Sequence, residues 1–156
     1  MRKPLIPLLS VIALLSVAGC GPADFYANTQ PVSRGLWPTD RFYRFEVRVE
    51  DTINPFNIHL QVRNDGRYEY SNLWLFIRTN SPTGAVLRDT VECLLANEEG
   101  KWLGRGSGGR YNIEIPYRYM VRFPNSGTYT FEIQQGMRTQ ELEYITDIGL
   151  RIRKAN

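Results

Sequence analysis

The segment Tyr43-Arg44-Phe45-Glu46-Val47-Arg48-Val49-Glu50 decides the fold class of this chain of 156 residues. Its large apolar side chains alternate with charged ones, which is the period of a β-strand with one buried and one solvated face. The same alternation returns over residues 58–63, 128–134 and 148–153. No long segment follows the 3.6-residue period of a helix, so the sequence predicts an all-β protein.

Short turn signals separate these predicted strands. Residues 64–66 (Asn-Asp-Gly) tolerate positive φ, and residues 81–84 (Ser-Pro-Thr-Gly) fit a type I turn. A weaker strand is expected over residues 111–121, where Pro116 marks an edge or a break. Seven or eight strands joined by such turns predict a two-layer antiparallel β-sandwich, jelly-roll-like, over residues 40–156.

Two stretches depart from simple alternation. Residues 73–77 (Leu-Trp-Leu-Phe-Ile) are apolar on both faces. They predict a central strand that is covered on both sides, with Leu75 and Phe76 buried on opposite faces. A short helix is expected somewhere between residues 135 and 144.

The chain begins like a secretory signal peptide over residues 1–19. Arg2 and Lys3 precede an apolar run, and small residues lead into Cys20. The ending Val-Ala-Gly-Cys resembles the lipobox of bacterial lipoproteins, whose cysteine carries a diacyl group and whose new amino group takes a further fatty acid such as palmitate. Several chains together make a lasting membrane anchor. The alternative is an ordinary signal peptide with a cysteine near its cleavage site.

Residues 20–39 are expected to be a lipidated N-terminus followed by an extended arm or a short edge strand, because prolines interrupt them. Removal of residues 1–19 leaves 17 basic and 16 acidic residues out of 19 and 16. Basic and acidic residues are interspersed, which argues against a nucleic-acid partner. Cys93 is then the remaining thiol, and its apolar surroundings predict a buried, inert side chain.

Catalytic patterns are weak in this sequence. His59 is the single histidine, on the predicted outward face of a strand, with no cysteine or histidine spaced near it for a metal site. Residues 104–109 contain Gly-x-Gly-x-x-Gly, but a strand is expected after them instead of the helix that a dinucleotide site needs. We therefore expect no enzyme activity, no catalytic residue, no metal and no cofactor.

The loop over residues 101–110 is the predicted partner surface. It is rich in glycine and carries Trp102, Arg105 and Arg110. Trp102 has a second interpretation, in which it pins the base of the loop to the core. Trp37 and Trp102 lie outside the predicted strands, and Trp74 lies on the face opposite Leu73, Leu75 and Ile77. Exposed tryptophans on a sandwich are a common carbohydrate-binding arrangement.

Taken together, these segments resemble the gliding-motility lipoprotein GldH family of the Bacteroidetes. The matching stretches are residues 32–37 with Phe45, 62–64 with 70–75, 89–93 with 95–96, 100–104 (Gly-Lys-Trp-Leu-Gly), 122–124, 127–131 with 135–138 (Gln-Gly-Met-Arg), and 147–151. The resemblance implies a non-catalytic envelope lipoprotein associated with the motility and type IX secretion apparatus. Residues 21–24 lack the acidic run of surface-exported lipoproteins, which favours an outer-membrane protein that faces the periplasm.

Two functions therefore stay open from the sequence. The first is an interaction module, tethered by lipid, that docks other envelope proteins through a broad patch of arginine and aromatic residues. The second is a tethered glycan-binding sandwich, which needs two or three aromatic platforms on one surface. The sequence leaves the oligomeric state open.

Overall fold

The computed structural model describes residues 23–155. Among them, the only helical piece is a 3₁₀ turn at Ser33–Gly35, and the other regular elements are strands. The ten strands are β1 (Asp24–Pro31), β2 (Leu36–Pro38), β3 (Tyr43–Val49), β4 (Phe56–Asp65), β5 (Asn72–Asn80), β6 (Val86–Leu94), β7 (Arg110–Val121), β8 (Gly127–Gln135), β9 (Glu141–Glu143) and β10 (Ile145–Lys154).

Two four-stranded antiparallel sheets pack as a sandwich, which confirms the predicted fold class. The first sheet has the order β1-β10-β4-β7, and the second has the order β3-β8-β5-β6. A small ribbon of β2 and β9 completes the fold. The strand count exceeds the predicted seven or eight, in part because β2 and β9 have three residues each.

The core lies between the two sheets, as the alternation predicts. Along β3, residues 43, 45, 47 and 49 are buried and the residues between them are exposed. Each fully buried aliphatic or phenyl side chain contributes about 1.5–3 kcal/mol through removal of its surface from water. The largest fully buried side chains include Trp37, Phe45, Phe56, Leu60, Leu75, Phe131 and Ile133.

The turn predicted at residues 81–84 and the edge position predicted for Pro116 are confirmed, whereas Asn64 and Asp65 lie within β4 and none of residues 64–66 has positive φ. Residues 81–84 connect β5 to β6, and the Gly84 amide donates to the Ser81 carbonyl at 3.0 Å. Gly84 has φ of 87°, a conformation that glycine adopts without strain. Pro116 lies in the edge strand β7, beside a register shift against β4.

Of the two alternatives for residues 20–39, the edge strand is observed over residues 24–31, where β1 pairs with β10 from Asp24 to Pro31. The helix expected within residues 135–144 is wrong, because β8 continues to Gln135 and β9 follows at Glu141–Glu143. Backbone pairing with neighbouring strands overrides the local sequence there.

The prediction for residues 73–77 is half right. Strand β5 is an interior strand that pairs with both β6 and β8, and Leu75 is fully buried. Phe76, however, is 46% exposed on the outer face of the second sheet. A two-layer sandwich covers only the inner face of each sheet, and no described element packs over this one.

The sandwich has two ends that matter for function. Strand β1 begins at the first end, which also carries the loops of residues 50–55, 81–85 and 122–126; we call it the anchor end. The opposite end carries residues 66–71, 95–109 and 136–140, and we call it the distal end.

Candidate functional site

An open cleft lies on the outer face of the second sheet, toward the distal end. It has a volume of about 570 Å³, and three of its nine lining residues are aromatic. Trp74, 37% exposed, and Phe76 stand two residues apart on β5, and Tyr70 closes the distal side. We call this the aromatic cleft; its lining is Tyr70, Asn72, Trp74, Phe76, Thr90, Gly136, Met137, Arg138 and Thr139.

A second hollow of about 370 Å³ continues the cleft across the sheet, and the two share Phe76 and Thr90. Phe42, which is half exposed, lies at its far side. Arg78 and Arg88 provide the basic part of its lining. The result is a continuous surface with aromatic rings in the middle and arginines beside them.

The floor of the aromatic cleft is shaped by the chain just after β8. The Gly136 amide donates to the Trp74 carbonyl at 2.7 Å, and a Cβ on Gly136 would lie 3.1 Å from the Phe76 ring. The buried amide of Gln135 accepts from the Met137 amide at 2.8 Å and donates to the Thr139 carbonyl at 3.0 Å. Gln135 therefore fixes the loop that carries Met137 and Arg138. The absence of a side chain at Gly136 leaves room for the Phe76 ring.

A buried carboxylate anchors the arginine side of this surface. Glu132 is 4% exposed and receives hydrogen bonds from Arg44 at 2.6 Å and Arg78 at 2.5 Å. Burial of the Glu132 carboxyl raises its pKa, but the bonds from the two guanidinium groups outweigh that effect, so the pKa lies below its ordinary value. Glu132 is thus ionised at neutral pH and holds both guanidinium groups against the sheet.

Two further arginines on this face have no such partner. Within residues 23–155, neither Arg88 nor Arg138 forms an ion pair with a carboxylate. Tryptophan, tyrosine, phenylalanine, methionine and arginine are the residue types enriched at protein–protein interfaces and their hot spots. The composition of the cleft and its rim is therefore typical of a docking surface for a partner with negative charge.

The structure places the three predicted loop residues at the distal end. Trp102 is half-buried, with its ring centroid 5.7 Å from that of Tyr111 and 6.4 Å from that of Tyr68. Arg105 and Arg110 are exposed, and the Arg105 backbone pairs with Asn112 at 2.8 and 2.9 Å. The side chain of Trp102 thus packs at the base of the loop, while the two arginines face solvent.

The glycines of this loop permit a tight backbone approach. A Cβ on Gly106 would lie 1.8 Å from the Arg110 carbonyl oxygen, so only glycine fits there. Strand β7 follows directly, so the Gly-x-Gly-x-x-Gly pattern lacks the helix of a dinucleotide site. Tyr68 also contacts Tyr70 edge-on, with 5.5 Å between ring centroids, which connects the loop base to the aromatic cleft.

The other candidate residues from the sequence are buried or half-buried in the structure. Trp37 is fully buried, and its indole donates to the Arg41 carbonyl at 2.9 Å, so it forms no exposed platform. Cys93 is buried as predicted, and burial raises its thiol pKa to about 12. His59 is half-buried and lies edge-on to Tyr119, and residues 23–155 hold no cluster of potential metal ligands.

Sequence reasoning placed Trp74 on the face opposite Leu75 but assigned neither Trp74 nor Phe76 as a site residue. The apolar side chains on both faces of residues 73–77 were the signal, and they were interpreted as burial on both sides. In an antiparallel sandwich one face of a sheet is normally solvated, so a doubly apolar strand is equally typical of an exposed binding face. Cys20 lies outside the described residues.

Comparisons with known proteins agree on one family. The GldH lipoprotein family model matches residues 24–152. The gliding motility lipoprotein GldH homolog of Christiangramia forsetii is 31% identical over 163 residues, covering 100% of this chain and 99% of that protein. The gliding motility lipoprotein GldH of Flavobacterium johnsoniae is 30% identical over 154 residues, covering 94% and 93%.

Solved structures give a weaker likeness. A non-crystalline-cellulose-specific carbohydrate-binding module, CBM28, matches with a TM-score of 0.47 and 10% identity, over 83% of this chain and 73% of that one. Among the described residues, no helix has the length and apolar character needed to cross a membrane.

Proposed function

The chain belongs to the GldH lipoprotein family, which is linked to gliding motility, and from that premise we propose that it is a non-catalytic docking module of the cell envelope. In this proposal Cys20 carries the lipid, and the anchor lies in the outer membrane with the domain facing the periplasm. The partners are other envelope proteins of the motility apparatus and the type IX secretion machinery. The aromatic cleft is the main docking surface.

The single observation that supports docking is the exposure of Trp74 and Phe76 on an interior strand. Exposed apolar surface costs about 25 cal/mol per Å² relative to burial, and Trp74 and Phe76 keep 37% and 46% of their surface in solvent. Partner binding removes this surface from water. Because Arg88 and Arg138 lack carboxylate partners among residues 23–155, we infer that the partner presents an acidic, partly apolar segment.

The experiment is a crosslinking pull-down from membranes with the full-length lipidated protein as bait. Trp74→Ala and Phe76→Ala are each expected to lower partner recovery at least tenfold. Truncation of an aromatic anchor residue costs about 2 kcal/mol or more of binding free energy, and about 1.4 kcal/mol corresponds to a tenfold change in affinity. Tyr119→Ala is the matched control, because Tyr119 is an exposed aromatic residue on β7 of the first sheet, outside both the cleft and the loop of Arg105 and Arg110. Equal recovery with all three variants would remove the cleft from the docking surface.

Glycan binding remains the second candidate, now on different residues. Trp37 is buried and cannot serve as an exposed platform for a saccharide. The aromatic cleft instead provides several rings on one surface beside polar side chains, namely Trp74, Phe76 and Tyr70 beside Asn72 and Thr90. Affinity electrophoresis in gels that contain a soluble polysaccharide separates the two functions. Retardation of the wild type but not of Trp74→Ala would favour a saccharide ligand over a protein one.

A further inference from the structure

The anchor end of the sandwich carries its own apolar surface, and we propose that this end docks flat against the membrane bilayer. The contact residues are Ile53, Leu87 and Met120, which come from three separate segments of the chain. This inference rests on the proposed lipid attachment at Cys20 and goes beyond it. The lipid fixes only the distance of the domain from the membrane, whereas the apolar surface fixes its orientation.

The length of chain between lipid and domain keeps this end near the bilayer. Three residues lie between Cys20 and Asp24, the first residue of β1, and an extended chain over these four steps spans at most about 14 Å. Asp24 pairs with Arg153 of β10, and Arg153 pairs with Asn57 of β4, so all three lie in one row near the anchor end. A lipid on Cys20 therefore holds this row, and the loops beyond it, beside the headgroups.

Those loops expose large apolar side chains. Ile53, in the β3–β4 loop, is 79% exposed, and Met120, near the end of β7, is 57% exposed. Arg122 connects the neighbouring parts of this surface, since its guanidinium donates to the Ile53 carbonyl at 3.1 Å and its side chain lines a cleft together with Leu87. Single exposed apolar residues are ordinary, but several from separate segments at one end form a patch.

The cleft beside this patch is itself apolar and opens between the edge strands β6 and β7. It has a volume of about 300 Å³, and its walls include Ile58, Val121, Phe123 and Phe131 from the core. The carboxylate of Asp89 binds Arg118 at 2.7 Å at one margin, which holds the two edges together. Contact with the acyl boundary covers this opening in the same way as it covers Ile53 and Met120.

Charges at this end are nearly balanced. Lys154 pairs with Asp51 at 2.9 Å, and Arg48 pairs with Glu50 at 2.6 Å. Arg122 is exposed, and its long side chain can lie along an apolar surface with its charge at the headgroups. The attraction to the bilayer is thus mainly apolar, and we expect it to persist in high salt and on zwitterionic lipid.

Docking of the anchor end places the aromatic cleft on the side away from the membrane. Strands β4 and β10 have ten residues each, so the distal end lies about 33 Å from the anchor end. The cleft and the loop of Arg105 and Arg110 then face outward, toward protein partners.

The test uses full-length lipidated protein in phosphatidylcholine vesicles, with an environment-sensitive dye on an introduced cysteine. Ile53→Cys and Met120→Cys report on the anchor end, and Ser107→Cys, in an exposed loop of the distal end, is the matched control. The native thiols do not interfere, because Cys20 carries the lipid in this proposal and Cys93 is buried. Each variant is first checked for native circular dichroism and for flotation with the vesicles.

We expect spin-labelled lipid to quench the dye at 53 and 120 several-fold more than at 107, in low and in high salt alike. Equal quenching at all three positions in protein that floats would overturn the docked orientation and leave the lipid anchor intact. Failure of wild-type protein to float would overturn the anchor and the orientation together. Shielding of position 53 in native membranes but not in pure lipid vesicles would assign the patch to a protein partner, against this proposal.

Discussion

Both outer faces of the sandwich carry an arginine–carboxylate network, but the second sheet adds the aromatic rings of the cleft. On the first sheet, Glu114 accepts hydrogen bonds from Arg151 at 2.8 Å and from Arg153 at 2.6 Å, so charged groups cover the backbone and satisfy one another. On the second sheet, Trp74 and Phe76 stand in solvent. Both faces belong to one fold and meet the same water, so folding alone does not explain why one is apolar.

Ion pairs of Glu114 with Arg151 and Arg153 cover part of the outer face of the first sheet. Gly149 there allows Thr29 and Gln61 to meet above it with a hydrogen bond of 3.1 Å, because a Cβ would lie 2.7 Å from the Thr29 hydroxyl. The apolar face of the second sheet therefore points to a ligand rather than to structure.

The largest expected effect separates the two sides of a single strand. Leu75→Ala removes a fully buried side chain and is expected to lower the free energy of unfolding by about 2–5 kcal/mol. Phe76→Ala removes a half-exposed ring and is expected to cost less than about 1 kcal/mol. Urea denaturation measures both. Similar costs would contradict the assignment of Phe76 to an open face.

The second prediction concerns the carboxylate that organises the arginine side of the second sheet. Glu132→Gln removes the charged acceptor of Arg44 and Arg78, and we expect a loss of about 1–3 kcal/mol at neutral pH. Because the pKa of Glu132 is lower in the folded state, its contribution is present above the ordinary glutamate pKa and disappears as pH falls through the folded value.

The stabilities of wild type and Glu132→Gln should therefore approach each other as pH falls from the ordinary glutamate range through the lower pKa of folded Glu132. Denaturation curves between neutral and acidic pH check this. A difference that stayed constant with pH would show that the side chain acts through packing instead of charge. Glu46→Gln is the control, because Glu46 is exposed on the same face of the neighbouring strand and has no ion-pair partner among residues 23–155.

The third prediction addresses the corresponding carboxylate on the first sheet. Glu114 lies in a network with Arg151 and Arg153 whose side chains keep about a quarter of their surface exposed. Glu114→Gln is expected to cost less than Glu132→Gln, because the Glu114 side chain is 29% exposed and partly solvated, whereas the Glu132 side chain is 4% exposed. Salt should reduce this loss further, whereas Glu132→Gln should respond less. A larger loss at Glu114 than at Glu132 would reverse the stated contrast between the faces.

Period-two alternation was sufficient to predict the class of fold. Residues 43–49 have one hydrophobic face, which fixes which side of β3 meets the core. The same rule fails at residues 73–77, where both faces are apolar and the alternation no longer distinguishes core from binding surface. Only the strand order shows that β5 lies inside a sheet with one uncovered face.

The site was harder to predict than the fold because it depends on residues far apart in sequence. Trp74 and Met137 are 63 positions apart, and the Trp74 amide lies 3.3 Å from the Met137 sulfur only because residue 136 pairs with β5. The residues next to Trp74 or Met137 in the sequence do not indicate that these two residues are in contact. The glycine-rich loop was visible in the sequence, yet its tight turn at Gly106 depends on the carbonyl of Arg110.

The smallest expected effect tests whether recognition is confined to the second sheet or extends around the distal end. Arg105 borders a polar hollow with Gln61, Glu114 and Arg151 on the side of the first sheet. We propose that Arg105 and Arg110 add peripheral contacts to an acidic partner, and such rim charges contribute little affinity.

The double variant Arg105→Ala with Arg110→Ala should lower partner recovery about two- to fivefold, which is less than the effect of Trp74→Ala, because exposed ion pairs contribute little binding energy. Point substitutions test this better than a shortened loop, because Trp102 packs on Tyr111 and a deletion would disturb β7. The thermal midpoint should be unchanged, since both side chains are exposed. Unchanged recovery would confine docking to the aromatic face, and a loss equal to that of Trp74→Ala would show that the partner spans both sides of the distal end.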